Sequence, residues 1–139
     1  MADLTIGTNG VSLVYADKAE IIDVIAVEAV TAGQPVYITT AGKAGVADAN
    51  AAGKQQFRGI ALKDTGAGKP CPVLKRGFLS GFALSGVAYN GLVYLSDTAG
   101  SLADAAGTMT VNCGRVIAKC DPDLTKILYV EADWLRAWA

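Results

Sequence analysis

A segment of this chain occurs twice. Val36-Tyr37-Ile38-Thr39-Thr40-Ala41-Gly42 returns as Val93-Tyr94-Leu95-Ser96-Asp97-Thr98-Ala99-Gly100. Each copy leads into an Ala-Asp-Ala stretch closed by glycine, Ala47-Asp48-Ala49-Asn50-Ala51-Ala52-Gly53 and then Ala103-Asp104-Ala105-Ala106-Gly107. Each then enters a glycine-containing apolar run, Arg58-Gly59-Ile60-Ala61-Leu62-Lys63-Asp64 and Gly114-Arg115-Val116-Ile117-Ala118-Lys119-Cys120-Asp121. A repeat that cannot bury its own apolar face must pack on its neighbour, and two copies are too few for a solenoid. The pattern therefore predicts one domain of two similar β units, near 33–64 and 90–121, sharing a common core.

The rest of the chain reads the same way. Residues 11–16 and 21–30 are rich in Val and Ile, whose stiff χ1 suits a pleated surface. Ile21, Ile25 and Glu28 also fall near helical spacing, but the β-branched run favours a strand. Further strands are expected over 35–40, 56–64, 71–84, 91–96, 110–120 and 126–130. Turn clusters separate them, such as Thr65-Gly66-Ala67-Gly68-Lys69-Pro70, Ser85-Gly86 and Asp121-Pro122-Asp123. Gly77 and Gly81 inside the longest run mark expected bulges or bends. Many short strands at turn-spaced intervals point to an all-β barrel or sandwich over 21–130. Hydrophobic residues make up 52% of the chain and aromatics only 7%, so the core must be aliphatic. A chain of 139 residues is long enough to bury roughly two-thirds of its unfolded surface in one such core.

The ends read differently. Residues 1–20 are expected to form an N-terminal arm and the first strand. The glycine-containing first ten residues look weakly tethered, and Leu4, Thr5 and Ile6 are candidates for adding a strand to a partner's sheet edge. Residues 131–139 carry acidic residues first and good helix formers after them, which predicts a short C-terminal helix. Trp134 and Trp138 would share one face of it. They either close the domain's own core or anchor a neighbouring subunit, and apolar spacing of this kind favours the core.

Composition excludes several functions. The net charge is −1, from 12 basic and 13 acidic residues, which gives no electrostatic footprint for nucleic acid. No apolar run approaches about 18 residues and the first residues lack a basic flank and apolar core, so neither a membrane span nor a signal peptide is expected. Histidine is absent, which removes the commonest general base and metal ligand. Cys71, Cys113 and Cys120 form no CxxC pair and read as reduced, buried small hydrophobes. Gly66-Ala67-Gly68-Lys69-Pro70 lacks the spacing and the hydroxyl of a phosphate loop, and reads as a hairpin turn. Lys75-Arg76 reads as a solvated strand end. No catalytic residue, cofactor or metal is expected.

Residues from about 27 to 130 resemble a bacteriophage capsid cement or head-decoration protein, of the small glycine- and alanine-rich kind. The resemblance lies in Val30-Thr31-Ala32-Gly33-Gln34-Pro35-Val36-Tyr37, Phe57-Arg58-Gly59-Ile60-Ala61-Leu62, Pro72-Val73-Leu74-Lys75-Arg76-Gly77 and Val93-Tyr94-Leu95-Ser96-Asp97-Thr98-Ala99-Gly100, in that order. It implies a compact β-barrel or β-tulip-like fold and a structural virion role on the capsid exterior, after assembly in the host cytoplasm. It further implies a homotrimer that bridges copies of the phage major capsid protein, with an N-terminal arm tied into that partner. A binding module of a head fibre, or a receptor- or glycan-binding appendage, is the alternative.

Overall fold

The computed structural model describes residues 2–139. The protein is nearly all β, with 40% of residues in strands and 2% in helix, and its antiparallel sheet curls strongly into a half-barrel. Ten strands build it: β1 (Ser12–Val14), β2 (Glu20–Ile25), β3 (Pro35–Ile38), β4 (Ala44–Val46), β5 (Gly59–Ala61), β6 (Pro70–Ser80), β7 (Leu92–Leu95), β8 (Leu102–Ala103), β9 (Asn112–Ala118) and β10 (Lys126–Glu131). A single 3-10 turn, Ala16–Lys18, joins β1 to β2.

The sequence repeat is a structural repeat. In the first unit β3 pairs with β4 on one side and β5 on the other, and β5 passes the ladder to β6. In the second, β7 pairs with β8 and β9, and β9 passes it to β10. The registers coincide. Val36 sits opposite Gly59 and Val93 opposite Gly114; Ile60 sits opposite Leu74 and Arg115 opposite Tyr129. The two glycines answer one steric demand. A Cβ on Gly59 would meet the Leu74 carbonyl oxygen at 2.6 Å, and a Cβ on Gly114 would run into that of Tyr129. At both places the return strand approaches the next strand too closely for any side chain.

The two units meet through β6 and β10, where Leu79 faces Leu128 and Arg76 faces Glu131. β6 is the longest strand because it serves four partners, β1, β2, β5 and β10. Its register against β2 shifts between Glu20 and Ile21, a bulge of the kind that curls a sheet. The larger core lies between the units and holds Phe57, Ile60, Leu74, Leu79, Val93, Leu95, Val116 and Leu128. A smaller one, around Val30, Val36, Ala44, Ala61, Cys71 and Val73, fills the curl of the first unit. That curl closes where Ala26 bridges Ala44 and Val27 N donates to the Ala44 carbonyl at 2.8 Å.

Several expectations are corrected. The strand expected over 21–30 ends at Ile25, because the chain turns there to cover β4. The expected C-terminal helix over 131–139 does not form: β10 runs to Glu131, and the tail beyond it is extended apart from one turn. Asp133 makes that turn, accepting from Leu135 N at 3.2 Å through Oδ1 and from Arg136 N at 3.2 Å through its carbonyl. A nine-residue helix is too short to hold itself in water, and the tail gains more by bonding to the strand entry at Gln55–Arg58. The first residues are not loose either. Leu4 N donates to Leu102 O at 2.8 Å, Asp104 N to Ala2 O at 3.1 Å, Ala83 N to Thr5 O at 2.8 Å and Gly7 N to Gly81 O at 2.7 Å. The arm is thus laid along β8 and the end of β6 of its own chain.

Candidate functional site

Two margins of the sheet are covered, and two strands, β1 and β2, pair on one side only. β8 is covered by the arm, and β4 by the turn after β2. β2 itself pairs only with β6. Ala26 N donates to Lys69 O, and the same register puts Ile22 opposite Val73 and Val24 opposite Cys71. Residues 22, 24 and 26 therefore turn their main-chain groups to β6. Ile21 and Asp23, one step out of phase, turn theirs to the open side, where no strand pairs among the described residues.

Side chains alternate in the same way. Ile22 and Val24 pack on the smaller core. Ile21 and Ile25 point outward and are 42% and 40% exposed, and Val27 beyond them is 45% exposed. Asp23 lies between Ile21 and Ile25 on that outer face, exposed and outside every ion pair among the described residues. Nearby carboxylates are occupied. Glu20 sits 3.6 Å from Lys75 Nζ and 3.3 Å from Arg76 Nη1, and Glu28 accepts from Val46 N at 3.1 Å. Tyr15, 38% exposed, packs apart from that row, its ring edge-on to Phe78 at 5.5 Å and Phe78 in turn 5.0 Å from Tyr129. β2 thus offers unused hydrogen-bonding groups and an apolar, singly acidic outer row. Sequence reasoning found the strand but not its open edge, because an edge is a property of what fails to pair with it.

A second feature is a shallow groove of about 240 Å³ between β9, β10 and the tail. Asn112, Arg115, Tyr129, Glu131, Arg136 and Trp138 are among its lining. Its polar groups are largely spoken for. Tyr129 Oη donates to Glu131 Oε1 at 2.6 Å, Glu131 lies 3.7 Å from Arg76 Nε, and Arg115 Nη1 donates to Asn90 O at 2.6 Å. Burial, helped by the neighbouring Glu131, pushes the Tyr129 phenol up to about 12. The Arg136 guanidinium lies 4.0 Å from the Trp138 ring centre and covers that face. Asn112 Oδ1 and Trp138 Nε1 are buried without a hydrogen-bond partner.

The residues singled out from sequence divide between these places. Trp134 and Trp138 both pack on the domain's own larger core. Trp134 Nε1 donates to Arg58 O at 2.8 Å, Trp138 N to Gln56 Oε1 at 2.8 Å, and Trp138 is only 7% exposed. Arg58, which donates to the carbonyls of Phe57 and Arg136, has its guanidinium held below the ordinary value by burial, against the pull of Asp133. Leu4 packs on the larger core; Thr5 is exposed, and Ile6 bridges to Phe82 with its side chain partly exposed. The structure does not gather the arm and the tryptophans into one surface. Cys71 and Cys113 are buried, and burial drives the Cys113 thiol well above its usual range; Cys120, expected buried, is exposed. No group of three or more His, Cys, Asp or Glu suited to a metal ion occurs among the described residues.

Fold and surface together define a curled, two-unit all-β protein in which β2, like the three-residue β1, pairs on one side only among the described residues. No family model, curated protein or solved structure matches the chain, so that description rests on its own geometry.

Proposed function

We propose that this chain is a structural virion protein that binds the outside of an icosahedral phage head and stabilises it by bridging major capsid proteins, acting as a homotrimer. The sequence resemblance suggests the role, and one structural observation supports it above others: β2 exposes Ile21 and Ile25, with Val27 just beyond them, beside an open edge. Apolar side chains grouped on a surface mark protein contact. A cement protein needs such area on a stiff body, repeated over several contacts so that modest interfaces add up. Apolar contact also resists salt, since screening weakens mainly exposed charge pairs.

The test is co-sedimentation of the purified full-length chain with undecorated heads, in low and high salt, with a native mass measurement of the free protein. Binding that survives high salt, and a trimeric mass, are expected. A chain that stays in the supernatant overturns the reading. The alternative, a glycan- or receptor-binding appendage module, has the Tyr129-lined groove in its favour, but Arg136 already occupies the Trp138 face on which a sugar would stack.

A further inference from the structure

We propose that the open edge of β2 takes up an extended strand from another protein whose outward side chains alternate apolar, basic, apolar. This rests on the reading of the chain as a protein-binding virion component and names what its partner must present.

The backbone supplies the first argument. Ile21 and Asp23 direct N–H and C=O groups to an unoccupied side, so an added strand finds donors and acceptors already in line, held straight by β6 behind them. Open edges of this kind are what other folds hide, and this one hides those of β4 and β8; β1, also paired only with β6, offers three residues against the six of β2.

The side chains supply the second. An added strand places its residues directly opposite Ile21, Asp23 and Ile25, at Cβ separations of about 5 Å. Apolar residues opposite Ile21 and Ile25 extend the exposed row, and a cation opposite Asp23 gives it the ion pair it lacks among the described residues.

The third argument decides between a second copy and a different protein. Two β2 strands running antiparallel bring their apolar outer rows together when Ile21 of each faces Ile25 of the other. That register sets Asp23 directly against Asp23, and like charges so placed repel. Shifting by one residue turns the outer row of one strand against the inner row of the other. A two-residue shift separates the aspartates but sets each opposite an apolar residue, so no register of two β2 strands gives Asp23 a cation, and the edge is better suited to a partner with a basic residue at the centre.

The test uses isotope-labelled full-length protein and two capped peptides, Ser-Val-Thr-Lys-Thr-Val-Ser and its twin with glutamate for lysine. Amide shifts centred on residues 21–25, with slowed amide exchange at Ile21 and Asp23, are expected with the lysine peptide. The glutamate twin should bind roughly threefold to tenfold more weakly, and Asp23→Lys should reverse the preference. Equal binding of both peptides, or shifts that avoid β2, overturns the inference. So does protection of Ile21 and Asp23 that grows with protein concentration, which would assign the edge to a second copy. The head-binding assay separates this inference from the reading beneath it. If the parent binds heads and Asp23→Lys binds them equally, the edge inference falls and the virion role stands. If heads are not bound but the lysine peptide docks on β2, the virion role falls and the edge assignment stands.

Discussion

Gly114→Ala should damage this fold severely. A Cβ there runs into the carbonyl oxygen of Tyr129 on the neighbouring strand, and Leu128 Cδ1 lies 3.3 Å away on the same side. The obstacle is backbone, which a rotamer change cannot move. Overpacking of a well-packed site costs about 1–3 kcal/mol, and an immovable neighbour places this case at the upper end, about 3 kcal/mol. Backing β10 away also weakens a ladder bond, for about 1 kcal/mol more. A single domain holds about 5–15 kcal/mol in all, so this loss is large but survivable. With a urea slope of about 2 kcal/mol/M, the midpoint should fall by about 2 M. Two glycines serve as controls. Gly66 has no atom within 4 Å of its Cβ position and no left-handed backbone, so Gly66→Ala should leave the midpoint unchanged or raise it slightly. Gly53 is equally open but has φ +86, so Gly53→Ala should cost about 1–2 kcal/mol from backbone strain alone. Urea unfolding followed by fluorescence of Trp134 and Trp138 reads all three. A Gly114→Ala midpoint within about 0.5 M of the parent, at equal slope, would refute the close approach of β9 to β10 and with it the structural reading of the repeat.

Two more measurements test the tail and the groove. Trp138→Ala removes a 93% buried ring and should cost about 3–5 kcal/mol, whereas Leu135→Ala, at a side chain 99% exposed, should stay within about 0.5 kcal/mol; equal melting temperatures for the two would mean the tail does not dock as described. The folded Tyr129 phenol titrates at about 12 against an ordinary 10, so folding favours its neutral form; that contribution is whole below pH 10 and lost as pH rises through about 12. Stability measured across pH 9–12 should fall, and Tyr129→Phe should flatten that alkaline limb; an unchanged limb in the variant would show that Tyr129 is not its source.

Much of the architecture was legible because it repeats. A Val-Tyr pair at 36–37 and at 93–94, each followed at similar distance by a glycine that must lie under the next strand, is a steric requirement written twice. The all-β class followed from aliphatic, β-branched runs cut by turn residues. What failed were the ends. The tail has helix-forming composition, but its fate was set by partners remote in sequence, Gln56 and Arg58, whose carbonyl and amide groups outcompete a nine-residue helix. The arm is anchored by main-chain groups at Leu102, Gly81 and Ala83 and by two side chains, Asp104 Oδ1 accepting from Ala2 N at 2.8 Å and Ser96 Oγ donating to Asp3, all so remote in sequence that no local pattern announces them.

The same logic explains why the surface was the least legible part. Buried positions leave a trace in residue type, since the inward positions of β6 are apolar: Cys71, Val73, Leu74 and Leu79 are all fully buried. An open edge leaves none, because Glu20-Ile21-Ile22-Asp23-Val24-Ile25 would read alike in the middle of a sheet or at its margin. Only the count of partners tells them apart. Leu4 and Ile6, which sequence reasoning assigned to a partner's edge, spend their backbone on the chain's own margin at β8 and Phe82. Residues 26–28 do the same for β4. The bare margin at β2 exposes isoleucines a solitary protein gains nothing by showing to water, each worth about 1.5–3 kcal/mol if fully buried. The stabilisation available at Ile21 and Ile25 is therefore reserved for contact with something other than this chain's own core, and Asp23 between them limits which neighbour can collect it.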